Sequence, residues 1–132
     1  MKKLTTLLVL ALAVFTACDS SSPYVYNEGG ELDYSQPEYA VMNWRSALIN
    51  GDAEIFYNSL SQGSTERYKE KGIYEDVFDG WSGGDLVWEI TGEVKDMGEK
   101  DGMEYKSVVI TSTEEPTIEV VNEDGEWKID EF

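Results

Sequence analysis

The sequence predicts an α+β domain in which N-terminal helices pack on a curved antiparallel sheet of about four strands. Two observations predict this class. Apolar residues recur at helical spacing in the first half of the folded region, and they alternate at strand spacing from residue 85 onward. The helical segments all precede the strands, which favours helices on one face of an antiparallel sheet.

The first 17 residues have the pattern of a signal peptide. Lys2 and Lys3 precede an apolar run from Leu4 to Phe15, and the small residues Thr16 and Ala17 follow it. This order of charged, apolar and small residues is typical of secretory signals. The run is shorter than the roughly 20 apolar residues that a membrane-spanning helix needs.

The tripeptide Thr16-Ala17-Cys18 resembles the box at which bacterial lipoproteins are cleaved and lipidated. The resemblance implies that Cys18 carries acyl chains and becomes the first residue of the mature protein. Each buried methylene of such a chain contributes about 0.8 kcal/mol to membrane binding. Plain secretion, with Cys18 as a buried thiol, is the alternative. The membrane, inner or outer, stays open, although an Asp at position 19 is associated with inner-membrane retention in enteric bacteria.

The composition excludes several classes of function. The chain has 27 acidic and 10 basic residues and a formal net charge of −17, so nucleic acid and anionic lipid surfaces repel it. We interpret the acidity as a solvated coat whose self-repulsion salt screens, with an acidic docking face as the alternative. The absence of histidine excludes histidine-based nucleophile activation and histidine-ligated zinc. A single cysteine excludes disulfides within the chain.

Residues 18–34 predict a tether between the anchor and the domain. They are rich in serine and glycine and poor in aliphatic residues, which is typical of flexible segments. Three tyrosines, Tyr24, Tyr26 and Tyr34, are unusual in such a segment. We expect some of them to pack on the domain, with a contact segment as the alternative.

The folded domain is predicted over residues 35–132, beginning with a long helix. Ser35 and Glu38 have the spacing of a capping box, and Pro37 suits a first helical turn. The helix is expected to run to about Asn50, because Gly51 is a natural stop. Its apolar stripe consists of Val41, Trp44 and Leu48.

Shorter helical segments follow. Asp52 is expected to cap a second helix that carries Ile55, Phe56 and Leu60 on one face. A polar helix is predicted from Thr65 to Lys71, then a turn from Ile73 to Asp79. The segment Gly80-Trp81-Ser82-Gly83-Gly84 is predicted to be a loop, and without a following Lys-Ser/Thr it does not match a phosphate-binding loop.

Four strands are predicted after this loop. They begin at Asp85, Met103, Thr117 and Glu126, with turns at Met97–Gly102 and Asn122–Gly125. The expected inward residues are Leu86, Trp88, Ile90, Val94, Trp127 and Ile129. Gly92 marks a candidate bulge, and Val108-Val109-Ile110 suggests burial on both faces.

Two short pieces of this pattern resemble the nuclear-transport-factor-2-like superfamily, a cystatin-like cone. They are Asn50-Gly51-Asp52-Ala53 at the start of the second helix and Asp124-Gly125-Glu126-Trp127-Lys128-Ile129 in the last hairpin. The resemblance covers residues 35–132 and implies a curved sheet wrapped round the first helix, with a pocket at the open end. It implies no single activity, because the superfamily contains isomerases, dehydratases and cyclases beside many non-catalytic modules.

The candidate pocket lining consists of aromatic residues: Tyr39, Trp44, Trp88, Tyr105 and Trp127. The first hypothesis is a non-enzymatic envelope lipoprotein that binds a partner protein or a small apolar ligand, with no cofactor and no catalytic residue. The alternative is an isomerase or cyclase that needs an ionisable group inside a water-accessible cavity. A core filled by these rings would remove that site.

Two weaker signals complete the sequence-based expectations. Asp96, Glu99, Asp101 and Glu104 cluster around one turn but lack the spacing of an EF-hand, so no metal site is predicted. Val87 and the apolar run from Val108 to Ile110 are consistent with a homodimer formed through the sheet.

Overall fold

The computed structural model describes residues 23–82, 86–114 and 116–132. Within these ranges, helices come first and a four-stranded antiparallel sheet follows, which confirms the predicted α+β class. The predicted signal peptide, Cys18 and residues 19–22 of the predicted tether lie outside the described ranges.

The described elements alternate with short connections. The helices are α1 (Pro37–Asn50), α2 (Ala53–Asn58), α3 (Gln62–Glu70) and α4 (Val77–Ser82). The strands are β1 (Ile90–Lys100), β2 (Met103–Ile110), β3 (Thr117–Glu123) and β4 (Glu126–Glu131), and they lie side by side in chain order.

Helix α1 has the predicted limits. Pro37 occupies the first turn, and Gly51 ends the helix with φ of 73°, a left-handed conformation that glycine adopts without strain. The predicted capping box is wrong. Gln36 is the N-cap residue, and among the described residues its side chain forms no cap hydrogen bond. Because proline favours the first helical position, Ser35 lies one residue too early to cap; its N–H instead donates to Asp33 Oδ1 at 2.9 Å.

Helices α2 and α3 begin at side-chain caps. Asp52 Oδ1 accepts a hydrogen bond from the Ile55 N–H at 3.2 Å, as predicted. Ser61 Oγ accepts one from the Ser64 N–H at 2.9 Å, so α3 begins at Gln62, three residues before the predicted Thr65.

The prediction of a loop at residues 80–84 is wrong for residues 80–82, which are helical; residues 83 and 84 lie outside the described ranges. Helix α4 continues through Gly80 to Ser82. Trp81 packs against Trp44 and Phe132, with ring centroids 6.2 and 4.9 Å apart. This packing outweighs the low helix propensity of glycine.

The hairpin between β1 and β2 is tighter than predicted. Strand β1 runs to Lys100, so most of the predicted turn at Met97–Gly102 is strand. The chain reverses at Asp101 and Gly102, whose φ values of 55° and 79° suit a two-residue hairpin turn. The pairing register shifts between Ile90 and Val94, which confirms the irregularity expected at Gly92. Strand β1 begins at Ile90, so residues 86–89, which were predicted to be strand, are not part of it; the predicted start, Asp85, lies outside the described residues.

The hairpin between β3 and β4 reverses at Asp124 and Gly125, the last two residues of the predicted turn. Asn122 Oδ1 accepts a hydrogen bond from the Gly125 N–H at 2.9 Å. Strand β3 extends two residues past the predicted end, to Glu123. In β2, Val108 and Ile110 are buried against the helices, whereas Val109 is half-buried on the other face.

The outer edge of β4 is covered by chain from the helical half. The Ile129 N–H donates to the Ser59 carbonyl and the Ser61 N–H donates to the Ile129 carbonyl, both at 2.8 Å. The Trp127 N–H donates to the Tyr34 carbonyl at 2.8 Å. These bonds satisfy backbone groups that an edge strand would otherwise expose for pairing with another chain.

Residues 23–34, here called the N-terminal strap, pack on α1. The strap folds back on itself, with an isolated bridge between Tyr26 and Leu32. Asn43, which is fully buried, fastens it: Asn43 Oδ1 accepts from the Val25 N–H at 2.7 Å and Asn43 Nδ2 donates to the Asp33 carbonyl at 3.0 Å. Of the three tyrosines, Tyr34 is buried, Tyr24 packs against the core and Tyr26 is exposed.

The core lies between α1 and one face of the sheet. Helix α1 contributes Ala40, Val41, Trp44, Ala47 and Leu48, and the sheet contributes Val108, Ile118, Val120 and Ile129. Trp127 and Ile129 point inward, as predicted. No helix in the described ranges has both the length and the apolar character to cross a bilayer.

We predict that Asn43→Ala lowers the free energy of unfolding by about 1–3 kcal/mol, because it removes the hydrogen-bond partner of the partly buried Val25 N–H and Asp33 carbonyl. Urea unfolding followed by tryptophan fluorescence measures this. The exposed Asn58→Ala is the matched control. Equal stability of the two variants would contradict the fastening role of Asn43.

Candidate functional site: two grooves beside the sheet

The five predicted pocket residues do not line one pocket. Trp44 is fully buried on α1, and Trp88 stacks on it with ring centroids 6.1 Å apart and planes 22° from parallel. Trp127 is buried on the face of the sheet that packs against α1, and Lys106 Nζ lies 5.6 Å from its ring centroid. Tyr39 is half-buried on α1, and Tyr105 lies on the opposite face of the sheet.

The interior around Trp44 is filled by aromatic rings. Phe132 lies 4.8 Å from it between centroids, and Phe56 and Trp81 lie at 6.2 Å. These separations are those of packed aromatic pairs, which leave no room for a ligand between the rings. The Trp44 indole Nε1 is buried among them without an acceptor in the described residues.

A groove of about 260 Å³ lies on the other face of the sheet. Val120 faces the helices, so by strand alternation Glu119 and its cross-strand neighbour Glu131 face away from them. Arg67 reaches the groove from α3. We call it the Glu119 groove; its lining consists of Arg67, Met97, Glu99, Lys100, Tyr105, Glu119, Asp130 and Glu131.

A bulge in β4 places three carboxylates together in this groove. Val120 pairs with Ile129 and Glu119 with Glu131, so Asp130 is an extra residue in β4. Bulges redirect side chains in this way. One carboxylate oxygen from each of Glu119, Asp130 and Glu131 lies within 4.8 Å of the others.

Hydrogen bonds fix Asp130 within the cluster. Ser61 Oγ donates to Asp130 Oδ1 at 2.8 Å. Arg67 Nη2 donates to the Asp130 carbonyl at 2.5 Å and lies 3.6 Å from Asp130 Oδ1. The guanidinium group therefore supplies positive charge to the cluster from α3.

The other two carboxyl groups of the cluster, Glu119 and Glu131, lie next to each other, and the pKa of Glu119 is raised. Burial raises the pKa of Glu119, and the negative charges of Glu131 and Asp130 together with a side-chain hydrogen bond to Glu131 raise it further. Burial and then the charge of Asp130 also raise the pKa of Tyr105, so its hydroxyl stays protonated and able to donate. The groove thus combines the Glu119 carboxyl, whose pKa is raised, with a phenol and a guanidinium group.

A second concave surface adjoins the Glu119 groove through Glu99. This acidic groove, about 620 Å³, lies between the start of α3 and the tips of both hairpins. The Gln62 N–H at the start of α3 donates to Glu123 Oε2 at 2.9 Å. The carboxylates lining the groove are Glu66, Glu99, Glu104, Glu123 and Asp124, and the described lining contains no lysine or arginine.

Neither acidic cluster is a clear cation site. Carboxylate oxygens are the ligands of hard cations, but in the Glu119 groove the Arg67 guanidinium already neutralises Asp130. Around the first hairpin, Glu99 pairs across the strands with Glu104, and Lys106 lies 3.8 Å from Glu104. The absence of a metal site stays a prediction.

The sequence analysis missed Arg67, Glu119 and Asp130. The alternation of apolar and polar residues at positions 117–120, Thr-Ile-Glu-Val, could have predicted that Glu119 lies on the sheet face opposite the core. Asp130 enters the cluster only because of the bulge, and its contact with Arg67 joins residues 63 positions apart.

Comparisons with protein-family models, with curated proteins and with solved structures found no match to this chain.

We predict that Glu119→Gln changes the pH dependence of stability. A carboxyl whose pKa is raised by folding binds more protons in the folded than in the unfolded state, so its contribution to stability falls as pH rises from the ordinary glutamate value of 4.5 through the raised value. Glutamine cannot ionise. The stability of the variant relative to the native chain should therefore increase with pH over that window.

Urea unfolding on both sides of this window measures the effect. Ser107→Ala, at the position paired with Glu119 on β2, is the control for a local disturbance of the sheet. A Glu119→Gln variant whose stability runs parallel to that of the native chain at every pH would contradict the raised pKa.

Proposed function

We propose that this chain is a membrane-anchored cell-envelope lipoprotein, held by acyl chains on Cys18, whose folded domain is a non-catalytic binding domain for a partner protein. One observation carries the binding part of the proposal. The interior around Trp44 is occupied by packed rings, whereas the acidic groove and the Glu119 groove are open and polar.

This contrast favours a polypeptide over a small apolar ligand. Pockets for small molecules are mostly apolar and bury most of the ligand. The acidic groove is instead lined by carboxylates along two hairpin tips and the start of α3. A partner segment rich in lysine or arginine has the charge that complements it, and such complementarity speeds association and selects partners.

Membership of the nuclear-transport-factor-2-like superfamily stays a prediction. The long first helix, the short second helix capped by Asp52 and the final hairpin at Asp124 and Gly125 are the features on which the resemblance depends. None of them specifies an activity.

A second candidate function is acid–base catalysis of the isomerase or cyclase type. The observation that favours it is the Glu119 carboxyl, whose pKa is raised, in a groove that Tyr105 also lines. A carboxyl group and a phenol donor within reach of one substrate are the arrangement that such chemistry requires. It lies on the sheet face opposite to the aromatic interior.

The anchor has a direct test. Expressed in a bacterium that processes lipoproteins, the native chain should incorporate a labelled fatty acid and sediment with membranes. Cys18→Ser should lose both properties, because it lacks the acceptor thiol. Fatty-acid labelling of the Cys18→Ser variant would overturn the proposal.

We predict that the partner is lost when the acidic groove loses its charge. Native chain and a Glu66→Lys/Glu99→Lys variant would each be used to isolate bound proteins from membranes of the source organism. The native chain should retain a partner that the variant does not, and molar salt should release it by screening. Native mass spectrometry of the same preparation reports any bound small molecule.

Glu54→Lys/Glu89→Lys is the matched control, since it makes the same change of charge at two exposed positions outside both grooves. Loss of the partner from this control as well would indicate a general charge effect. A small molecule of defined mass released on denaturation would instead favour the catalytic candidate, and Glu119→Gln would then be the variant to assay.

A further inference from the structure

The N-terminal strap brings the chain to a fixed point on α1. The Pro23 carbonyl accepts a hydrogen bond from Ser46 Oγ at 2.7 Å, and Ser46 is itself buried. Two residues further on, the strap is held again by Asn43. The described part of the chain therefore starts beside the middle of this helix.

Exposed apolar side chains flank this point. Met42 and Ile49 lie four residues before and three residues after Ser46, which places them on the same side of α1. Their exposed fractions are 39% and 42%, and Tyr26 in the strap is 57% exposed. Single exposed apolar residues are ordinary, but a group on one face indicates an interaction surface.

A fourth exposed apolar side chain, Val87, follows a residue that Arg45 of α1 holds by a hydrogen bond. The guanidinium Nη2 of Arg45, three residues after Met42, donates to the Leu86 carbonyl at 2.8 Å. The next residue, Val87, is 77% exposed. We call the exposed side of α1 that carries Met42 and Ile49 the α1 face; Tyr26 and Val87 each follow a residue, Val25 or Leu86, that is hydrogen-bonded to this helix.

The α1 side is also poor in negative charge. The chain has 27 acidic residues, yet residues 23–27 and 39–50 contain none, and Arg45 adds a positive charge. Lipid headgroups repel carboxylates and tolerate arginine and tyrosine at their level. No carboxylate of these two segments repels a bilayer; the acidic residues of the strap are Glu28, Glu31 and Asp33.

The covalent distance to the anchor restricts which surface meets the membrane. Five residue steps join Cys18 to Pro23, and a chain of that length spans at most about 18 Å whatever its conformation. With acyl chains on Cys18, Pro23 lies within that distance of the bilayer. This limit favours an orientation in which the surface around Pro23 faces the lipid.

We propose that the α1 face docks on the phospholipid surface of the membrane that holds the anchor. The proposal rests on the lipidation of Cys18 in the proposed function. It fixes the orientation of the domain: α1 packs on one face of the sheet and the Glu119 groove lies on the other. That groove is then turned away from the bilayer, toward partners in the adjoining compartment.

Photo-cross-linking to lipid tests the orientation. The full chain is expressed in a bacterium that processes lipoproteins, with p-benzoylphenylalanine in place of Met42, Ile49 or Met97 in turn. Met97 is the matched control, because it is a methionine of similar exposure, 53%, in the Glu119 groove. Isolated membranes carrying radiolabelled phospholipid are irradiated, and label attached to the protein is measured beside acylation of Cys18.

The expected result is acylated protein with several-fold more lipid cross-linking from positions 42 and 49 than from position 97. Acylated protein with equal cross-linking from all three positions, or with most from position 97, overturns the docking of the α1 face and leaves the anchor intact. Protein without acylation overturns the anchor and the docking together.

Discussion

The burial of the Trp44 ring is the interaction on which the rest of the structure depends. Four rings pack against it, and they come from α2, from α4, from the segment before β1 and from the end of the chain. Because Trp44 joins these distant segments, it determines where α1 lies on the sheet. It also closes the interior, since aromatic rings at these separations fill the volume that a small ligand would need.

Helix α1 carries a second set of interactions on its other side. The residue before Trp44, Asn43, binds the strap, and Ser46 binds its first described residue. Tyr34, at the end of the strap, then shares the cover of the β4 edge with residues 59–61. One helix thus connects the aromatic interior to the strap, and the strap in turn protects the sheet edge. Hydrogen bonds to buried groups make these connections specific.

Local chemistry made much of the fold predictable. Gly51, Asp52 and the turn at Asp124 and Gly125 act within a few residues of their own positions, so their patterns located the ends of α1, the start of α2 and the last hairpin. The helical continuation through Gly80 and the bulge at Asp130 were not predictable, since each depends on contacts with distant parts of the chain. The candidate site depends on the same kind of contact: Arg67 and Asp130 meet only after α3 has packed beside β4.

The distribution of charge argues against a uniform acidic coat as a complete account of the composition. A coat that only maintains solubility is expected on every exposed side of the domain, yet the exposed positions Met42 and Ile49 of α1 carry apolar side chains. The two hairpins, by contrast, present four carboxylates to the acidic groove, and Glu66 of α3 adds a fifth. In the adjoining Glu119 groove, burial and then the charges of Glu131 and Asp130 raise the pKa of Glu119. Different surroundings on the two sides of the domain would account for this uneven distribution: in our proposals, a lipid surface on the α1 side and a positively charged partner at the grooves.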